Sequence, residues 1–302
     1  KWTQYLFIKL FESDLAYKKD APVNWCNSCN TVLANEQVVD GNCERCETEV
    51  SQKNLNQWFL KISNYSEELL TGLEKIGNWP ENVKTMQKNW IGKSEGAQFE
   101  LKVSGSDILF EVFTTRPDTL FGMTFAVISP EHELMENILE ISDNKNQIKE
   151  YIEKAKSKSE FERMSITKEK SGVDTHLKVI NPMTNEEVPL WIADYVLINY
   201  GTGAIMAVPA HDQRDYDFAK KYNIEIRQVI MNKESQKNVE TEAYIEEGVL
   251  INSGEFNNLN SHTEASQKII QHLEKNKMGD KKTTFRLRDW LISRQRYWGC
   301  PI

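Results

Sequence analysis

Four of the five cysteines occur as two Cys-x-x-Cys pairs, Cys26 with Cys29 and Cys43 with Cys46, separated by thirteen residues. A Cys-x-x-Cys pair on a tight turn presents two thiolates to one metal ion, and two such pairs complete a tetrahedral site. Because four thiolates leave no open position for a water molecule, the pattern predicts a structural zinc ion. The alternatives are two disulfides, which need an oxidising compartment, or a redox pair, which would be a single motif.

A second candidate site is the segment Thr114–Gly122, which reads Thr-Thr-Arg-Pro-Asp-Thr-Leu-Phe-Gly after a predicted strand. Pro117 fixes φ and Asp118 suits a turn, so the hydroxyl groups are predicted to lie on a rigid loop. Loops held by a sheet commonly carry binding groups. A threonine-rich β-turn explains the same residues without any function, and the segment alone does not decide between the two interpretations.

A third candidate site lies within residues 200–217. Gly201 and Gly203 permit close approach of the backbone, and a short apolar strand follows them. The glycine pair lacks both the lysine of a nucleotide loop and the full dinucleotide fingerprint. Asp212 and Asp215 then fall at the start of a predicted helix.

The two aspartates have a structural explanation, because acidic residues in a first helical turn cap the backbone and favour the helix dipole. The same environment holds an aspartate ionised, which predicts a poor general base at neutral pH and a good anchor for a substrate ammonium group. His211 is the nearby side chain with a suitable base pKa, although a single histidine is more often structural. We therefore expect cation binding at this helix start.

The elements that must position these residues follow from hydrophobic periodicity, which changes from helical to alternating near Ala97. The predicted elements are helices over 1–19, 57–76 and 81–89, paired strands over 98–103 and 107–115, charged helix over 131–170, strands over 177–180 and 188–208, and helices over 212–222 and 264–276.

Composition is that of an ordinary soluble protein, with 39% hydrophobic and 27% charged residues and no apolar run long enough to span a membrane. The net charge of −8 argues against a protein that grips nucleic acid along its length. Its distribution is uneven, since residues 281–302 carry +5 and the other 280 residues carry −13. An acidic body still admits the tip of an RNA, and we expect weak, salt-sensitive RNA binding.

Taken together, these residues resemble the bacterial leucyl-tRNA synthetases, which are class I enzymes, over essentially the whole chain. The resemblance rests on Thr114–Gly122, on residues 201–217 and on a terminal segment, Asp289–Gly299, that is similar to a class I signature. It implies the editing insertion called connective polypeptide 1. The expected fold is α/β (α+β), with a mixed β-barrel-like editing domain surrounded by helices, a small zinc ribbon and stubs of a Rossmann-type catalytic core.

The resemblance also implies an order of domains and a missing synthetic site. The expected domains are a helical stub of the catalytic core at 1–19, a zinc ribbon at 20–50, a helical connection at 51–92, the editing domain at 93–284 and a return strand or stub at 285–302. The sequence has no His-x-Gly-His or Lys-Met-Ser-Lys-Ser motif. Activation of leucine, with its ATP and Mg²⁺, is therefore expected only of the parent enzyme.

The function implied is post-transfer editing, the hydrolysis of isoleucine, methionine or norvaline esters of tRNA(Leu) with Leu-tRNA(Leu) spared. A pocket separates side chains that differ by one methyl by only about 1–3 kcal/mol, so a second site must remove the wrong esters. The expected partner is the 3′ end of tRNA(Leu), and the protein is expected to be monomeric, cytoplasmic and without a cofactor at the editing site. The alternative is a non-catalytic zinc-ribbon module that binds RNA or protein.

The resemblance assigns expected roles to single residues. Asp215 would bind the α-ammonium group with help from Asp212, and Thr119 would block leucine. Thr114 and Thr115 would hydrogen-bond the substrate and the attacking water, so that positioning, more than proton abstraction, carries the rate. The side chains expected to line the substrate pockets are those of Arg116, Tyr200, Met206, Val208 and His211.

Overall fold

The computed structural model describes residues 1–33, 37–39, 41–156, 163, 170–198, 201–232, 239 and 241–292. Its α-helices are α1 (Trp2–Glu12), α2 (Ser66–Gly72), α3 (Glu81–Ile91), α4 (Met135–Ile141), α5 (Lys145–Lys156), α6 (Gln213–Tyr222) and α7 (Glu264–Lys275). Its strands are β1 (Ala16–Cys26), β2 (Thr31–Leu33), β3 (Val38–Val39), β4 (Asn42–Cys43), β5 (Val50–Leu60), β6 (Lys93–Val103), β7 (Leu109–Thr114), β8 (Phe125–Ile128), β9 (Gly172–Ile180), β10 (Glu187–Ala193), β11 (Ala204–Ala207), β12 (Ile230–Met231), β13 (Val249–Leu250), β14 (Gly279–Phe285) and β15 (Trp290–Leu291).

The described residues divide into two units, one formed by Lys1–Lys93 with the residues from Phe285 onward, the other by Ser94–Thr284. In the first unit, β1 and β5 pair antiparallel along all eleven residues of each strand. The sheet order is β15-β5-β1-β2, and β3 pairs with β4 in a separate hairpin. The long ribbon carries Cys26 to the end that bears the other three cysteines of the two pairs.

Two helices predicted in this unit extend into residues that form strands, and the predictions are wrong there. The helix predicted over 1–19 ends at Glu12, and β1 starts at Ala16. In the range predicted as a helix over 57–76, the first residues belong to β5, and the only regular α-helix among these described residues is α2. The expected helical connection at 51–92 therefore starts as a strand. Short apolar runs such as Trp58-Phe59-Leu60 fit the periodicity of a helix and that of a strand equally well, and aromatic residues favour the strand when a long partner strand is available. The short helix predicted over 81–89 is confirmed as α3.

The second unit is built on a mixed sheet of order β11-β8-β10-β9-β6-β14, with β7 paired to β6. β8 and β10 run parallel, whereas the β8–β11, β9–β10, β6–β9 and β6–β7 pairs are antiparallel. The main apolar core lies on one face of this sheet and includes α4, α5 and α7 side chains. A second, aromatic cluster packs α6 against the other face.

Most predicted elements of this unit are confirmed, with two divisions that periodicity did not show. The strand predicted over 98–103 is part of β6, and the one predicted over 107–115 contains the shorter β7, which pairs with β6. The helices predicted over 212–222 and 264–276 correspond to α6 and α7. Of the helix predicted over 131–170, residues 157–162 and 164–169 lie outside the described residues. The part before them is divided into α4 and α5, because the Ser142 side chain accepts from the Asn144 N–H and donates to the Thr175 carbonyl. The strand predicted over 188–208 corresponds to two strands, β10 and β11, and its residues 199 and 200 lie outside the described residues.

Within the described ranges, no helix combines the length and the apolar character needed to cross a bilayer.

Candidate functional site

The two cysteine pairs converge at the end of the β1–β5 ribbon. The four Sγ atoms of Cys26, Cys29, Cys43 and Cys46 all lie within 4.8 Å of one another, and none of these cysteines is in a disulfide. Four thiolates bound to one zinc ion at about 2.3 Å would stand about 3.8 Å apart, which fits this cluster. The cluster can therefore hold a metal ion, and the two-disulfide alternative does not describe this structure.

The thiols of this cluster differ in their affinity for protons. Hydrogen bonds with the side chain and backbone of Thr48 lower the pKa of Cys46 to about 6. Hydrogen bonds with Cys46 and Cys26 raise the pKa of Cys29 to about 12. Without a cation, Cys46 thus ionises far more readily than Cys29, and binding of a divalent cation would require the Cys29 thiol to lose its proton.

The candidate loop Thr114–Gly122 leaves the end of β7, and its start is fixed by the neighbouring strand. A Cβ atom on Gly96 would lie 1.9 Å from the Thr114 carbonyl oxygen, so the two backbones meet where only glycine fits. The next residue, Ala97, is the register partner of Thr114. The position of the first threonine is therefore set by β6.

Inside this loop the hydroxyl groups of Thr114 and Thr119 are bonded to the backbone of Arg116. The Arg116 N–H donates to Thr114 Oγ1 at 3.0 Å, and Thr119 Oγ1 donates to the Arg116 carbonyl at 2.8 Å. Thr119 is fully buried, whereas Thr115 is exposed. Thr114, predicted to bind the substrate or water, and Thr119, predicted to block leucine, thus also hold the turn that carries them.

Asp118 anchors the Arg116 side chain from a fully buried position. The guanidinium group donates from Nε to Oδ1 at 3.0 Å and from Nη2 to Oδ2 at 2.9 Å. The carboxylate also accepts from the His262 N–H and from Ser266 Oγ, close to the start of α7. Because Arg116 is tied in this bidentate geometry, its direction is set by the protein before any ligand arrives.

The other candidate segment joins β11 to α6 through a side-chain cap. Asp212 accepts from the backbone N–H groups of Arg214 and Asp215, as predicted for a helix start. Its carboxylate is also paired with the Arg214 guanidinium, Nη2 to Oδ2 at 2.9 Å. These hydrogen bonds, chiefly those from Arg214, outweigh burial and lower the pKa of Asp212.

Asp215 lies one turn further in a different environment. It is 3% exposed, with Oδ1 accepting from the Tyr195 hydroxyl at 3.0 Å and Oδ2 from the Val208 N–H at 2.9 Å. Burial, followed by repulsion from Asp212, raises its pKa to about 7. The prediction that the helix start holds this carboxylate firmly ionised is therefore wrong, because burial opposes the dipole and was not visible in the sequence.

His211 uses both ring nitrogens in the protein. Nε2 accepts from the N–H groups of Val229 and Ile230, so Nδ1 carries the proton and donates to the Tyr244 carbonyl at 2.8 Å. Burial lowers the pKa of His211 to about 4. A neutral imidazole with both nitrogens engaged is a backbone clamp and a poor proton acceptor.

Val229 also connects the two candidate segments. Besides donating to His211, it approaches Gly122 so closely that a Cβ there would lie 2.9 Å from Val229 Cγ2. Met206 and Val208 are buried in the same apolar core as Leu120. The structure thus brings the threonine loop and the β11–α6 segment together, whereas Tyr200 lies outside the described residues.

Comparison with known proteins decides the family. A profile described as leucyl-tRNA synthetase, editing domain, matches residues 88–274, and one described as tRNA synthetases class I (I, L, M and V) matches residues 1–96. The chain belongs to the leucyl-tRNA synthetase family. The resemblance drawn from the sequence motifs is confirmed.

Relatives from the leucyl-tRNA synthetase family match the chain from end to end. The leucine–tRNA ligase of Clostridium tetani is 56% identical over 302 residues and that of Thermosipho melanesiensis 55% over 304, each covering the whole chain. The chain spans 36% and 37% of those proteins. A crystal structure of the ternary complex of Agrobacterium radiobacter K84 agnB2 LeuRS with tRNA and LeuAMS is 38% identical, with a TM-score of 0.76, covering 99% of this chain and 34% of that one.

Sequence reasoning missed two residues that support the candidate site side chains. Tyr195 donates to Asp215, and Asp118, read only as a turn residue, holds Arg116. A tyrosine in the apolar run after β10 was the available signal, since a buried tyrosine hydroxyl usually has a partner. Its partner could not be identified because the two residues come together only in the folded sheet.

Proposed function

We propose that the Ser94–Thr284 unit is an editing hydrolase that cleaves the ester of mischarged tRNA(Leu) and spares Leu-tRNA(Leu). The observation that carries the proposal is the buried Asp215 carboxylate, oriented by Tyr195 and the Val208 backbone. In the described part of the chain Asp215 makes no ion pair, because the neighbouring Arg214 is paired with Asp212. A buried carboxylate with no cation of its own is suited to bind the α-ammonium group of an aminoacyl ester.

The raised pKa of Asp215 makes this anchor selective for a positive charge. With the site empty, the carboxyl group is partly protonated near neutral pH, since burial raises its pKa to about 7. An ammonium group at hydrogen-bond distance stabilises the ionised form and lowers that pKa again. Binding of the amino acid and ionisation of Asp215 are thus coupled, and Asp212, held ionised by Arg214, adds to the negative potential.

Hydrolysis at this site depends on positioning. His211 is neutral and engaged at both nitrogens, so it offers no free base. We assign the orientation of the attacking water to the hydroxyl groups of Thr114 and Thr115 and to the terminal ribose hydroxyl. Thr119, fixed by its hydrogen bond to the Arg116 carbonyl, would form the wall that excludes the leucine side chain.

The finer features of the fold are also part of this proposal. The four cysteines would bind zinc in a structural role, which supplies folding free energy and no catalysis. β11 stands at one end of the sheet order, and it also packs against β7, which pairs with β6 near the other end; this contact supports a barrel-like closure. Residues 1–19 and 285–302 would be stubs of the Rossmann-type core of a monomeric, cytoplasmic ligase, which attaches leucine using ATP through parts outside this chain.

A deacylation assay tests the proposal directly. The 302-residue chain is incubated with Ile-tRNA(Leu) and with Leu-tRNA(Leu), and release of the amino acid is followed. We expect hydrolysis of the first and sparing of the second. Binding of the tRNA without hydrolysis of Ile-tRNA(Leu) would instead support the non-catalytic module.

Two substitutions test whether Asp215 binds the α-ammonium group. Asp215→Asn removes the charge that pairs with the ammonium group, and loss of a charge-assisted hydrogen bond of about 1.5–3 kcal/mol predicts deacylation about 10- to 150-fold slower. Asp217→Asn, at an exposed position of the same helix, is the matched control and should keep wild-type turnover. Equal turnover by the two variants would contradict the anchor.

A separate substitution tests whether Thr119 excludes the leucine side chain. Thr119→Ala shortens the side chain that faces the amino acid in this proposal, so hydrolysis of Leu-tRNA(Leu) is expected to appear while that of Ile-tRNA(Leu) persists. Thr241→Ala, at an exposed position of the same unit and outside the site, should keep hydrolysis of Ile-tRNA(Leu) and still spare the leucyl ester. Continued sparing of leucine by Thr119→Ala would remove Thr119 from this role.

A further inference from the structure

A buried arginine lies against the turn that carries Tyr195. Arg163 is 7% exposed, and its guanidinium group donates from Nε to the Asp194 carbonyl at 2.7 Å and from Nη2 to the Val196 carbonyl at 2.9 Å. These carbonyls belong to the residues on either side of Tyr195. Arg163 therefore holds the backbone from which the tyrosine side chain projects.

The charge of Arg163 is balanced by Glu131, which is tied to the sheet. Nη1 donates to Glu131 Oε1 at 2.7 Å and Nη2 to Oε2 at 3.2 Å, so the pair is bidentate. Glu131 Oε2 also accepts from the Ser129 hydroxyl, and the Ser129 N–H donates to the Gly203 carbonyl at 2.8 Å. Because Ser129 follows β8 and Gly203 precedes β11, this pair of strands sets the position of the arginine.

The two hydrogen bonds that orient the Asp215 carboxylate come from the parts that Arg163 connects. Oδ1 accepts from the Tyr195 hydroxyl and Oδ2 from the Val208 N–H, and Val208 directly follows β11. Arg163 thus links the turn that supplies the first donor to the strands that present the second. A planar guanidinium group, whose N–H donors have fixed directions, is suited to hold these two parts in one geometry.

The start of the same turn has a second anchor. The Asp194 carboxylate accepts from the Ser171 N–H at 3.1 Å and from the Ser171 hydroxyl at 2.7 Å. The turn should therefore stay attached to the sheet when Arg163 is changed, while the Val196 side of Tyr195 is released. Because desolvation offsets most of the attraction within a buried ion pair, stability alone is a weak explanation for the Arg163–Glu131 pair.

We propose that Arg163 is a positioning residue of the site, which holds the Tyr195 hydroxyl on the Asp215 carboxylate through the backbone of Asp194 and Val196. Its effect on hydrolysis rests on the proposed function, whereas the coupling between Arg163 and Asp215 belongs to the folded chain without tRNA. When the turn is loosened, the ionised carboxylate loses part of its stabilisation by Tyr195. Asp215 then holds its proton more tightly.

Arg163→Lys tests the coupling, because it keeps the positive charge and loses the fork that reaches both carbonyls. The ¹³C signal of the Asp215 carboxyl carbon is followed against pH in the labelled full chain, and Asp215→Asn identifies the signal. We expect the titration midpoint to rise by about 0.3–0.7 pH units, equal to ionisation about two- to fivefold weaker on losing up to one hydrogen bond. The charged and titratable groups that act most on Asp215, which are Asp212, Arg214 and Tyr195, are unchanged in this variant.

The Tyr195→Phe background separates positioning from general loosening of the fold. It lacks the hydroxyl through which Arg163 would act, so Tyr195→Phe/Arg163→Lys should titrate at Asp215 like Tyr195→Phe alone. An arginine with a purely structural role would lower stability and leave the Asp215 midpoint in place. Arg227→Lys is the matched control, since that guanidinium pairs with exposed carboxylates of the same unit and should leave the midpoint unchanged.

Hydrolysis of Ile-tRNA(Leu) gives a second readout. Arg163→Lys should deacylate about two- to fivefold more slowly at neutral pH and recover at higher pH, and adding it to Tyr195→Phe should cause no further slowing. A wild-type chain that does not deacylate would contradict the proposed function, and the carboxyl titration would still decide the role of Arg163.

Two outcomes would overturn the positioning role. One is an unchanged Asp215 midpoint in folded Arg163→Lys, and the other is an equal shift in the Tyr195 and Tyr195→Phe backgrounds. If Arg163→Lys does not fold, Glu131→Gln, which keeps an acceptor for the arginine, is compared in the same two backgrounds. We expect a more upward shift of the midpoint where the tyrosine is present, and equal shifts would again overturn the role.

Discussion

The cysteine cluster and the β11–α6 segment are both candidate sites, but their parts come from very different distances along the chain. The cluster draws all its ligands from residues 26–46, and each pair is held by its own turn. Asp215 depends on Tyr195 and Val208, and His211 depends on Val229, Ile230 and Tyr244. A site built from local turns can be recognised by spacing, whereas the chemistry of a site assembled by a sheet is decided by burial.

The largest expected effect concerns the local site. Cys43→Ser removes one of four thiolates, and structural zinc sites of this kind contribute on the order of 10 kcal/mol of binding free energy that is also folding free energy. We expect the metal content of the purified protein to fall from one ion per chain to almost none. Amide signals of β2 to β4 should collapse in the same sample.

The control for this prediction is Ser28→Ala, an exposed position in the turn of the first pair, which should retain the metal. Hydrolysis of Ile-tRNA(Leu) should persist in Cys43→Ser if the two units are energetically separate. A metal-free protein with an intact ribbon would show that the small core around Leu33 and the cysteines holds the fold without metal.

Sequence alone was sufficient for features that depend on spacing. The family, the cysteine cluster, the β6–β7 pair and the helices α6 and α7 were all predicted, because each is determined by a local pattern that the fold then keeps. The Asp212 cap belongs to the same group. These predictions needed no knowledge of which surfaces become buried.

The failures share a physical cause. The apolar spacing at Trp58-Phe59-Leu60 predicts a helix, but this run is a strand because an eleven-residue partner strand lies beside it. Asp215 was read as firmly ionised, and burial raises its pKa to about 7. In both cases the deciding term is a tertiary contact that overrides a local preference. Tyr195 was missed for the same reason.

The second prediction concerns the pH dependence of stability that burial of His211 causes in the β11–α6 segment. The pKa of His211 is lowered from 6.5 to about 4, so its contribution to stability is present above pH 6.5 and is lost as the pH falls towards 4, by about 3 kcal/mol. His211→Gln keeps an acceptor for Val229 and Ile230 and cannot titrate. The free energy of unfolding, from hydrogen exchange in β8 in urea, should lose this acid-sensitive component.

The contribution of Asp215 to stability changes with pH in the opposite direction to that of His211, so the two residues can be compared directly. Its pKa is raised from 3.8 to about 7, so its contribution to stability is present below pH 3.8 and is lost as the pH rises towards 7. Asp215→Asn should remove that loss of stability, leaving only the His211 contribution to the pH dependence.

The His211 prediction has its own contradicting outcome. Parallel curves of unfolding free energy against pH for wild type and His211→Gln would show that burial does not perturb the pKa of this histidine.

The smallest expected effect separates orientation of Asp215 from its charge. Tyr195→Phe removes the hydroxyl that donates to Oδ1 and leaves the Val208 N–H on Oδ2. Losing one hydrogen bond of about 1 kcal/mol predicts deacylation of Ile-tRNA(Leu) about fivefold slower at neutral pH. Because that hydroxyl stabilises the ionised carboxylate, its removal raises the pKa of Asp215, and the pH midpoint of deacylation should move upward.

Recovery at higher pH distinguishes this mechanism from general loosening of the fold. Tyr222→Phe removes another tyrosine hydroxyl of the same unit, one bonded to the Gly172 backbone and not to Asp215. It should reduce stability by a similar amount and leave the pH midpoint of deacylation unchanged. If Tyr195→Phe instead slows hydrolysis equally at all pH values, the tyrosine acts through packing, and the Val208 N–H alone orients the carboxylate.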